Sequence, residues 1–200
     1  MPSIYDLKPA FQGLLRPLVQ GLAARGVSAN QVTVAAMLLS CATGAALALH
    51  PDASTLLLLP AVLFARMALN AIDGMLAREH NQKSRLGAML NELGDVVSDA
   101  ALYLPLAWVT GFSPTWVAVI VVLAVMSEMT GVITQTLGAS RRYDGPMGKS
   151  DRAFVFGALG LALGLGVPAG MWLHSLLAAV AALLVLTVFN RARRGLRELD

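Results

Sequence analysis

Long apolar segments alternate with short polar ones along most of the chain. Six of these segments approach the length of about 20 residues that crosses a bilayer as a helix. We predict the six spans at residues 30–50, 55–79, 85–109, 114–137, 151–167 and 171–190. The predicted fold class is therefore all-α, a polytopic membrane protein with short connections between its spans.

The residues before the first span show a different pattern. Between residues 4 and 25, apolar side chains recur at helical spacing, with Arg16 opposite them and Lys8 at their edge. This pattern predicts an amphipathic helix that lies on the membrane surface. The apolar positions are Leu7, Phe11, Leu14, Leu15, Leu18 and Leu22. We expect an interfacial segment over residues 1–29 and a six-helix membrane domain over residues 30–200.

The composition supports a membrane protein. Hydrophobic residues make up 56% of the 200 positions, charged residues make up 14%, and the mean hydropathy is +0.67. A soluble domain carries about 25% charged residues. The single cysteine, Cys41, excludes an internal disulfide and any metal site built from several cysteines.

The basic residues predict the orientation. All lysines and arginines except Arg66 fall before span one, after span six, or at the connections between spans two and three and between spans four and five. The positive-inside rule places this side, and with it both termini, in the cytoplasm. We therefore expect a multi-pass protein of the inner, cytoplasmic membrane. The basic stretch 191–197 follows a span directly, so it suits anionic lipid headgroups better than nucleic acid.

Acidic and amide side chains interrupt spans two and three. Asn70 and Asp73 share one helical face of span two. Asn91, Asp95 and Asp99 share a face of span three. At about 1.5 Å per residue, Asn70 lies roughly 12 Å and Asp95 roughly 15 Å from the cytoplasmic ends of their helices. Because a short loop joins the two spans, we expect both faces to line one cavity that opens to the cytoplasm.

The chemistry predicted for this cavity is metal-assisted work on phosphate. Oxygen ligands suit hard divalent cations such as Mg²⁺ or Mn²⁺. Gly74 and Gly87 leave room for a bulky ligand beside the backbone, and Arg78 at the rim can pair with phosphate. Two alternatives stay open from the residues alone. The carboxylates, including Glu128, pair structurally with Arg66 and with one another, or they form the proton relay of a small carrier.

The same stretch resembles the signature of the membrane CDP-alcohol phosphotransferases. That signature reads D-x-x-D-G-x-x-A-R, eight residues, then G-x-x-x-D-x-x-x-D. The matching residues in this chain, with every interval kept, are Asp73, Gly74, Ala77, Arg78, Gly87 and Asp95. Two weaker resemblances lie outside the signature: Asn30 and Thr33 to a P-N-x-x-T segment, and Gly148 with Lys149 to a G-K segment.

The resemblance implies an enzyme of phospholipid biosynthesis. Such an enzyme transfers a phosphatidyl or phosphoalcohol group from a CDP-linked donor, here expected to be CDP-diacylglycerol, to an alcohol acceptor and releases CMP. It also implies two divalent ions, Mg²⁺ or Mn²⁺, on the acidic residues of the motif. A homodimer in the lipid bilayer is expected, because known members of the family are homodimers.

The resemblance also assigns roles to residues. Asp95 is the expected general base, which activates the acceptor hydroxyl. The candidate metal ligands are Asn70, Asp73, Asn91, Asp95 and Asp99. The candidate substrate-binding residues are Asn30, Thr33, Gly74, Ala77, Arg78, Gly87, Lys149 and Arg152.

Two positions depart from the family pattern. The first and third aspartates of the signature are Asn70 and Asn91 here, so two neutral amides replace two charges. Asp99, close to the face of Asp95, is expected to restore part of that charge, whereas Glu92 points about 100° away from Asn91. Three outcomes stay open: a two-metal site, a one-metal site, and a degenerate member that binds a nucleotide-lipid or regulates a partner without transfer.

Overall fold

The structure is a computed structural model that describes residues 8–200, with side chains described from residue 11 onward. Every regular element in this part of the chain is helical, which confirms the all-α prediction. The elements are α1 (Lys8–Ala24), α2 (Ala29–Leu49), α3 (Ala53–Leu56), α4 (Leu58–Glu79), α5 (Arg85–Tyr103), a 3₁₀ helix (Leu104–Trp108), α6 (Pro114–Thr136), α7 (Lys149–Gly164) and α8 (Met171–Leu199).

Polar caps define where the helices of the polar motif begin. The Ser28 hydroxyl accepts a hydrogen bond from the Gln31 N–H, and the Gln31 side chain accepts one from the Ser28 N–H. At the start of α5, the Ser84 hydroxyl accepts a hydrogen bond from the Gly87 N–H at 2.9 Å. These caps satisfy backbone N–H groups that have no partner within the helix. The start of α2 and the start of α5 are therefore well defined next to the site.

The number of helices able to cross a membrane is lower than six by length and composition. The four that qualify within the described residues are Ala29–Leu49, Ala53–Glu79, Pro114–Thr136 and Met171–Leu199. The helix α5 is not among them and carries four charged side chains, while α7 has 16 residues. The structure thus supports four of the six predicted spans on apolar length alone.

Several boundaries differ from the prediction. The third span was expected to reach residue 109, but α5 ends at Tyr103 and the chain continues as the 3₁₀ helix. Pro105 explains this change, because it has no N–H to continue the α-helical hydrogen bonds. The second span begins as the short α3, followed by α4 after a break at Leu57. The last helix runs to Leu199 instead of ending near residue 190.

The apolar core lies on the side of the bundle away from the connection between α4 and α5. Its fully buried members come from six α-helices and the 3₁₀ helix and include Leu47, Leu59, Leu102, Leu106, Ile120, Phe156 and Leu177. The most extensive helix contacts are α6 with α8, α2 with α5, α2 with α4, and α4 with α7. The apolar contacts hold one end of the helices together and leave their other ends to build the polar site.

The first helix packs against α2 and α4 through a second apolar cluster. Val19 of α1 is fully buried there, and Leu15 and Leu22 pack beside it. Leu14 and Leu18 point outward, with exposures of 80% and 52%. The apolar stripe predicted for this helix is therefore divided between the bundle and the surface. Residues 4–7, where the predicted helix begins, lie outside the described residues.

Two glycines permit close approach of helix backbones. A Cβ atom at Gly44 of α2 would overlap the Ala101 carbonyl of α5. A Cβ atom at Gly160 of α7 would lie 2.9 Å from the Leu56 carbonyl oxygen and from the Leu59 side chain. The helices that carry the site are consequently packed backbone against backbone at these points.

Replacing Gly44 with alanine is expected to destabilise the fold, because the new methyl group overlaps the Ala101 carbonyl. Overpacking of this kind costs about 1–3 kcal/mol. Gly21→Ala is the matched control, since a Cβ atom there meets nothing within 4 Å. Thermal unfolding in detergent should show a lower midpoint for Gly44→Ala only. An unchanged midpoint for Gly44→Ala would contradict the close approach of α2 and α5.

Candidate active site

Asp73 lies where α2 meets α4. The Thr33 hydroxyl donates a hydrogen bond to Asp73 Oδ2 at 2.8 Å, and both side chains are buried. One turn earlier on α2, Asn30 lies against α5, since a Cβ atom at Gly87 would be 2.7 Å from Asn30 Oδ1. The first turns of α2, which were expected to bind substrate, therefore contact both halves of the motif.

Asp95 is paired with a lysine from α7. Lys149 Nζ lies 2.6 Å from each carboxylate oxygen of Asp95. The Asn70 amide donates to Asp95 Oδ1 at 3.4 Å, which brings the polar faces of α4 and α5 together as predicted. Asn91 lies one turn before Asp95 on α5 and is partly buried. The site therefore combines both halves of the motif with the start of α7.

Asp99 is enclosed by two arginines. Arg66 Nη1 pairs with Asp99 Oδ1, and Arg66 Nη2 donates to the Asp95 backbone carbonyl at 3.1 Å. Arg152 Nε donates to Asp99 Oδ2 at 2.9 Å. Arg66, Asp99 and Arg152 are all buried. Both carboxylate oxygens of Asp99 thus have an arginine partner. These contacts favour a structural role for Asp99 over a role as metal ligand. They likewise favour a structural role for Arg152 over contact with substrate.

Glu128 of α6 accepts hydrogen bonds from three arginines. Arg141, Arg152 and Arg191 each reach a Glu128 carboxylate oxygen at 3.1 Å. Burying a carboxylate is tolerated when cations and hydrogen bonds surround it. Glu128 and Arg66 are therefore both in ion pairs, but not with each other. Arg66 pairs with the carboxylates of α5.

The segment between α6 and α7 extends this ionic network. Arg141 binds both carboxylate oxygens of Glu92 at 2.9 and 2.7 Å. Arg142 donates to Asp144 at 2.8 Å. Burial raises the pKa of Asp144, but the hydrogen bonds and charges of Arg142 and Arg194 outweigh it and hold the pKa below its usual value. This segment is therefore fixed beside α5 and α8 by paired charges.

Arg141 and Arg191 contact the site, although no local pattern in the sequence predicts this. The partners Glu92 and Arg141 are 49 positions apart, and Glu128 and Arg191 are 63 positions apart. Helical spacing relates residues of one helix and does not report on such distant pairs. Glu92 and Glu128 were the sequence features that could have indicated these partners, because an acidic residue within an apolar span needs a cation nearby.

The residues expected on the donor side cluster near the end of α4. Arg78 is exposed there, and a Cβ atom at Gly74 would lie 3.1 Å from Arg78 Nη1. Ala77 packs against the apolar cluster shared by α1, α2 and α4. Gly87 lies at the start of α5, so Arg78 and Gly87 lie at the two ends of the short connection between α4 and α5.

A model of one protein family matches most of the chain and so identifies the family. The model of the CDP-alcohol phosphatidyltransferase family matches residues 27–189, which include both halves of the motif and Lys149. The chain belongs to the CDP-alcohol phosphatidyltransferase family, and it is a phosphatidyltransferase by class.

Individual relatives agree with this assignment. Inner membrane protein YnbA of Escherichia coli (strain K12) is 48% identical over 192 residues, which are 96% of this chain and 95% of that protein. The phosphatidylinositol phosphate synthase PgsA1 of Mycobacterium tuberculosis, with CDP-DAG bound, has a TM-score of 0.74 at 22% identity and covers 90% of this chain and 92% of its own. Its structure with manganese and citrate also has a TM-score of 0.74 at 22% identity, over 90% of this chain and 87% of that one. At this identity the likeness to PgsA1 shows a common fold.

Removing the Arg152 charge is expected to destabilise the protein strongly. The variant Arg152→Met leaves buried Asp99 and Glu128 with one cation fewer, and breaking a buried ion pair costs about 3–5 kcal/mol. Arg16→Met is the control, because its pair with Glu79 is exposed and such pairs contribute little. Denaturant unfolding should separate the two variants clearly. Equal unfolding midpoints would show that the buried network does not stabilise the bundle.

Proposed function

We propose that this enzyme transfers a phosphatidyl group from CDP-diacylglycerol to an alcohol, releases CMP and so makes a phospholipid. The observation that carries the proposal is the polar site in which Asp73, Asp95 and Lys149 meet at the family motif. The structure of PgsA1 with CDP-DAG, which shares the fold, supports a CDP-linked lipid as the donor. The carrier hypothesis loses its basis, because the family membership accounts for the glycine and arginine positions of the motif.

An apolar groove between α4 and α7 supports a lipid donor. The groove has a volume of about 400 Å³ and is lined by apolar side chains that include Pro60, Met67 and Phe154. Met67 follows Arg66 in the chain, and Ser150 of the groove follows Lys149, so one end of the groove lies at the same level along α4 and α7 as the polar site. An acyl chain in this groove would hold the diphosphate beside Asp73 and Asp95.

We propose that α2, α4, α5, α6, α7 and α8 each cross the membrane, with both termini and the site on the cytoplasmic side. Four of them have sufficient apolar length, and the three acidic groups of α5 pair within the bundle. The outward leucines Leu14 and Leu18 suit a first helix that lies in the membrane interface. The name of the relative YnbA, an inner membrane protein, supports the same location for this chain.

A homodimer is part of the proposal. An apolar stripe on α5 suits contact with a second copy, because it faces away from the bundle at helical spacing. The stripe consists of Leu86, Met89, Leu93 and Val97, all exposed.

We propose that the metal site holds one divalent cation, Mg²⁺ or Mn²⁺. Among the side chains described from residue 11, no three His, Cys, Asp or Glu residues converge as a metal site. The amide oxygens of Asn70 and Asn91 would therefore complete a set with Asp73 and Asp95. Two carboxylates balance the charge of one divalent ion, so this donor set fits one ion better than two. The manganese in the PgsA1 structure supports such an ion.

A bound divalent ion would offset the charge of the donor diphosphate and stabilise CMP as it leaves. The protein residues supply the rest of the chemistry. Asp95 accepts the proton of the acceptor hydroxyl as its oxygen attacks the phosphorus that carries the lipid. The new O–P bond forms while the bond from this phosphorus to the CMP oxygen breaks, and CMP leaves with the electron pair.

Lys149 and Arg78 have separate parts in this proposal. Lys149 neutralises Asp95 in the resting site and turns to the diphosphate when the donor enters. Arg78 pairs with donor phosphate at the rim, while Gly74 and Gly87 leave room for the nucleotide. Arg66 holds the Asp95 backbone carbonyl and so positions the base.

The variant Asp95→Asn is expected to lower the rate of CMP release by about 10²–10⁴-fold, the range for loss of a general base. CMP release from CDP-diacylglycerol, with mass spectrometry of the lipid product, measures this effect. Asp200→Asn is the control, because Asp200 is exposed at the end of the chain. Chelation of divalent ions should stop the wild-type reaction. Full activity in Asp95→Asn would remove Asp95 from the mechanism.

A second candidate function rests on Asn70 and Asn91. If the protein binds CDP-diacylglycerol but releases no CMP with any alcohol, a degenerate member that binds nucleotide-lipid replaces the enzyme proposal. The two amides favour this alternative, because they weaken the charge of the metal site.

Metal stoichiometry tests the one-ion proposal without an activity assay. Calorimetric titration with Mn²⁺ should give one ion per wild-type chain. The double variant Asn70→Asp, Asn91→Asp should bind Mn²⁺ more tightly and gain a second ion, since it restores both charges. Asn81→Asp adds a carboxylate in the exposed connection between α4 and α5 and serves as the control. Two ions on the wild-type chain would overturn the one-ion proposal.

A further inference from the structure

We infer that the acceptor is an uncharged hydroxyl compound, such as a polyol or a sugar, and not a phosphorylated alcohol. This inference rests on the proposed function, because it concerns the acceptor side of the same site. It is carried by the way in which charges are paired around Asp95 on the side of α6, α7 and α8.

The basic side chains that lie against the carboxylates of α5 and α6 on this side are already paired with them, whereas Arg193 and Arg197 of α8 are exposed and form no ion pair with the described carboxylates. Among the side chains described from residue 11, the pairs are Arg141 with Glu92, Arg152 with Asp99 and Glu128, Arg191 with Glu128, and Lys149 with Asp95. A phosphate group that reached these four side chains as part of an acceptor would therefore meet no unpaired cation.

The arginines are also shielded from solvent. The exposed fraction of the side chain is 1% for Arg152, 2% for Arg191 and 9% for Arg141. To bind a phosphate, Arg152 or Arg191 would have to leave a buried carboxylate without its partner, which is strongly unfavourable. Arg141 would have to give up both hydrogen bonds to Glu92, which is partly buried. On the donor side, by contrast, Arg78 is exposed and forms no ion pair with the described carboxylates, as an anionic diphosphate requires.

The same pairing disfavours a cationic acceptor. Glu92, Glu128 and Asp99 are each bound by at least one guanidinium group, so they offer no free charge to an ammonium ion. A neutral hydroxyl compound needs only hydrogen bonds and an apolar surface for its C–H groups. Tyr143 offers both beside Arg141, since its ring lies 4.8 Å from the guanidinium carbon and is 66% exposed.

Glu92 is the residue expected to determine this specificity. It lies on α5 one turn before Asp95 and binds both Nε and Nη2 of Arg141. In the variant Glu92→Gln, the only carboxylate partner that Arg141 keeps among the described residues is Glu128, which two other arginines already share. One positive charge is then left without a balancing carboxylate next to the acceptor side.

Transfer from CDP-diacylglycerol to matched acceptors tests the inference. Glycerol is compared with glycerol phosphate and inositol with inositol phosphate, with CMP release and lipid mass spectrometry as readouts. The wild-type enzyme should prefer the unphosphorylated member. Glu92→Gln should raise kcat/KM for the phosphorylated member by at least about tenfold, the factor that one charge-assisted hydrogen bond supplies. A wild-type preference for the phosphorylated member would overturn the inference.

Two further variants make the result specific to Arg141. Glu79→Gln removes the same charge from the exposed pair with Arg16 and should leave the preference unchanged. The double variant Glu92→Gln, Arg141→Gln should lose the gain. If the gain persists without Arg141, the released arginine is not the phosphate site and the inference fails in this form.

Binding of inorganic phosphate decides the inference even if none of these alcohols is turned over. Calorimetry with saturating CMP and Mg²⁺ keeps the nucleotide side occupied. Wild-type protein should bind no phosphate at millimolar concentration, and Glu92→Gln should bind it. Phosphate binding by the wild-type protein overturns the inference. Absence of CMP release with every alcohol is a separate result, which overturns the proposed function. The phosphate titration then still tests whether the acceptor side binds phosphate.

Discussion

The fold depends on the neutralisation of buried charge by side chains from different helices. Arg152 of α7 contacts Asp99 of α5 and Glu128 of α6, and Arg191 brings α8 to the same glutamate. A buried charge without a partner is costly, so none of these helices is stable in its place without the others. The site therefore forms only when the whole bundle has assembled, although the family motif itself spans only α4 and α5.

The same network determines where the reactive groups lie. Lys149 and Arg152 occupy the first turn of α7, and Asp151 of that turn accepts a hydrogen bond from the Gly148 N–H at 2.9 Å. The ion pairs of Arg152 fix this turn, which places the Lys149 ammonium on Asp95. Arg66 fixes Asp95 from the opposite side through its backbone carbonyl. Precision at the site thus comes from charges that do not take part in the proposed transfer.

The helices and the two polar faces were predictable, because the information for them is local. Apolar length, the spacing of Asp73 and Asp95, and the caps at Ser28 and Ser84 all lie within single segments of sequence. The end of α5 was predictable in principle from Pro105, but the apolar residues that follow favoured a longer helix.

Tertiary partners were not predictable from the same patterns. Helical period showed which face of α5 carries Asp99, but not that Arg66 and Arg152 bind that carboxylate. For the same reason the leucines of α1 were grouped into one stripe, whereas contact with α2 and α4 divides them. Pairs such as Glu92 with Arg141 join distant parts of the chain and become visible only in the folded bundle.

The groove between α4 and α7 has a consequence for how substrate supply controls the enzyme. Its lining is apolar and includes Phe64 and Phe154, which are exposed on the surface of the bundle. In the proposed reaction, a lipid donor enters this groove sideways and never passes through water. The rate then follows the number of donor molecules per unit area of membrane and their lateral diffusion, so the same amount of lipid spread over a larger membrane is converted more slowly.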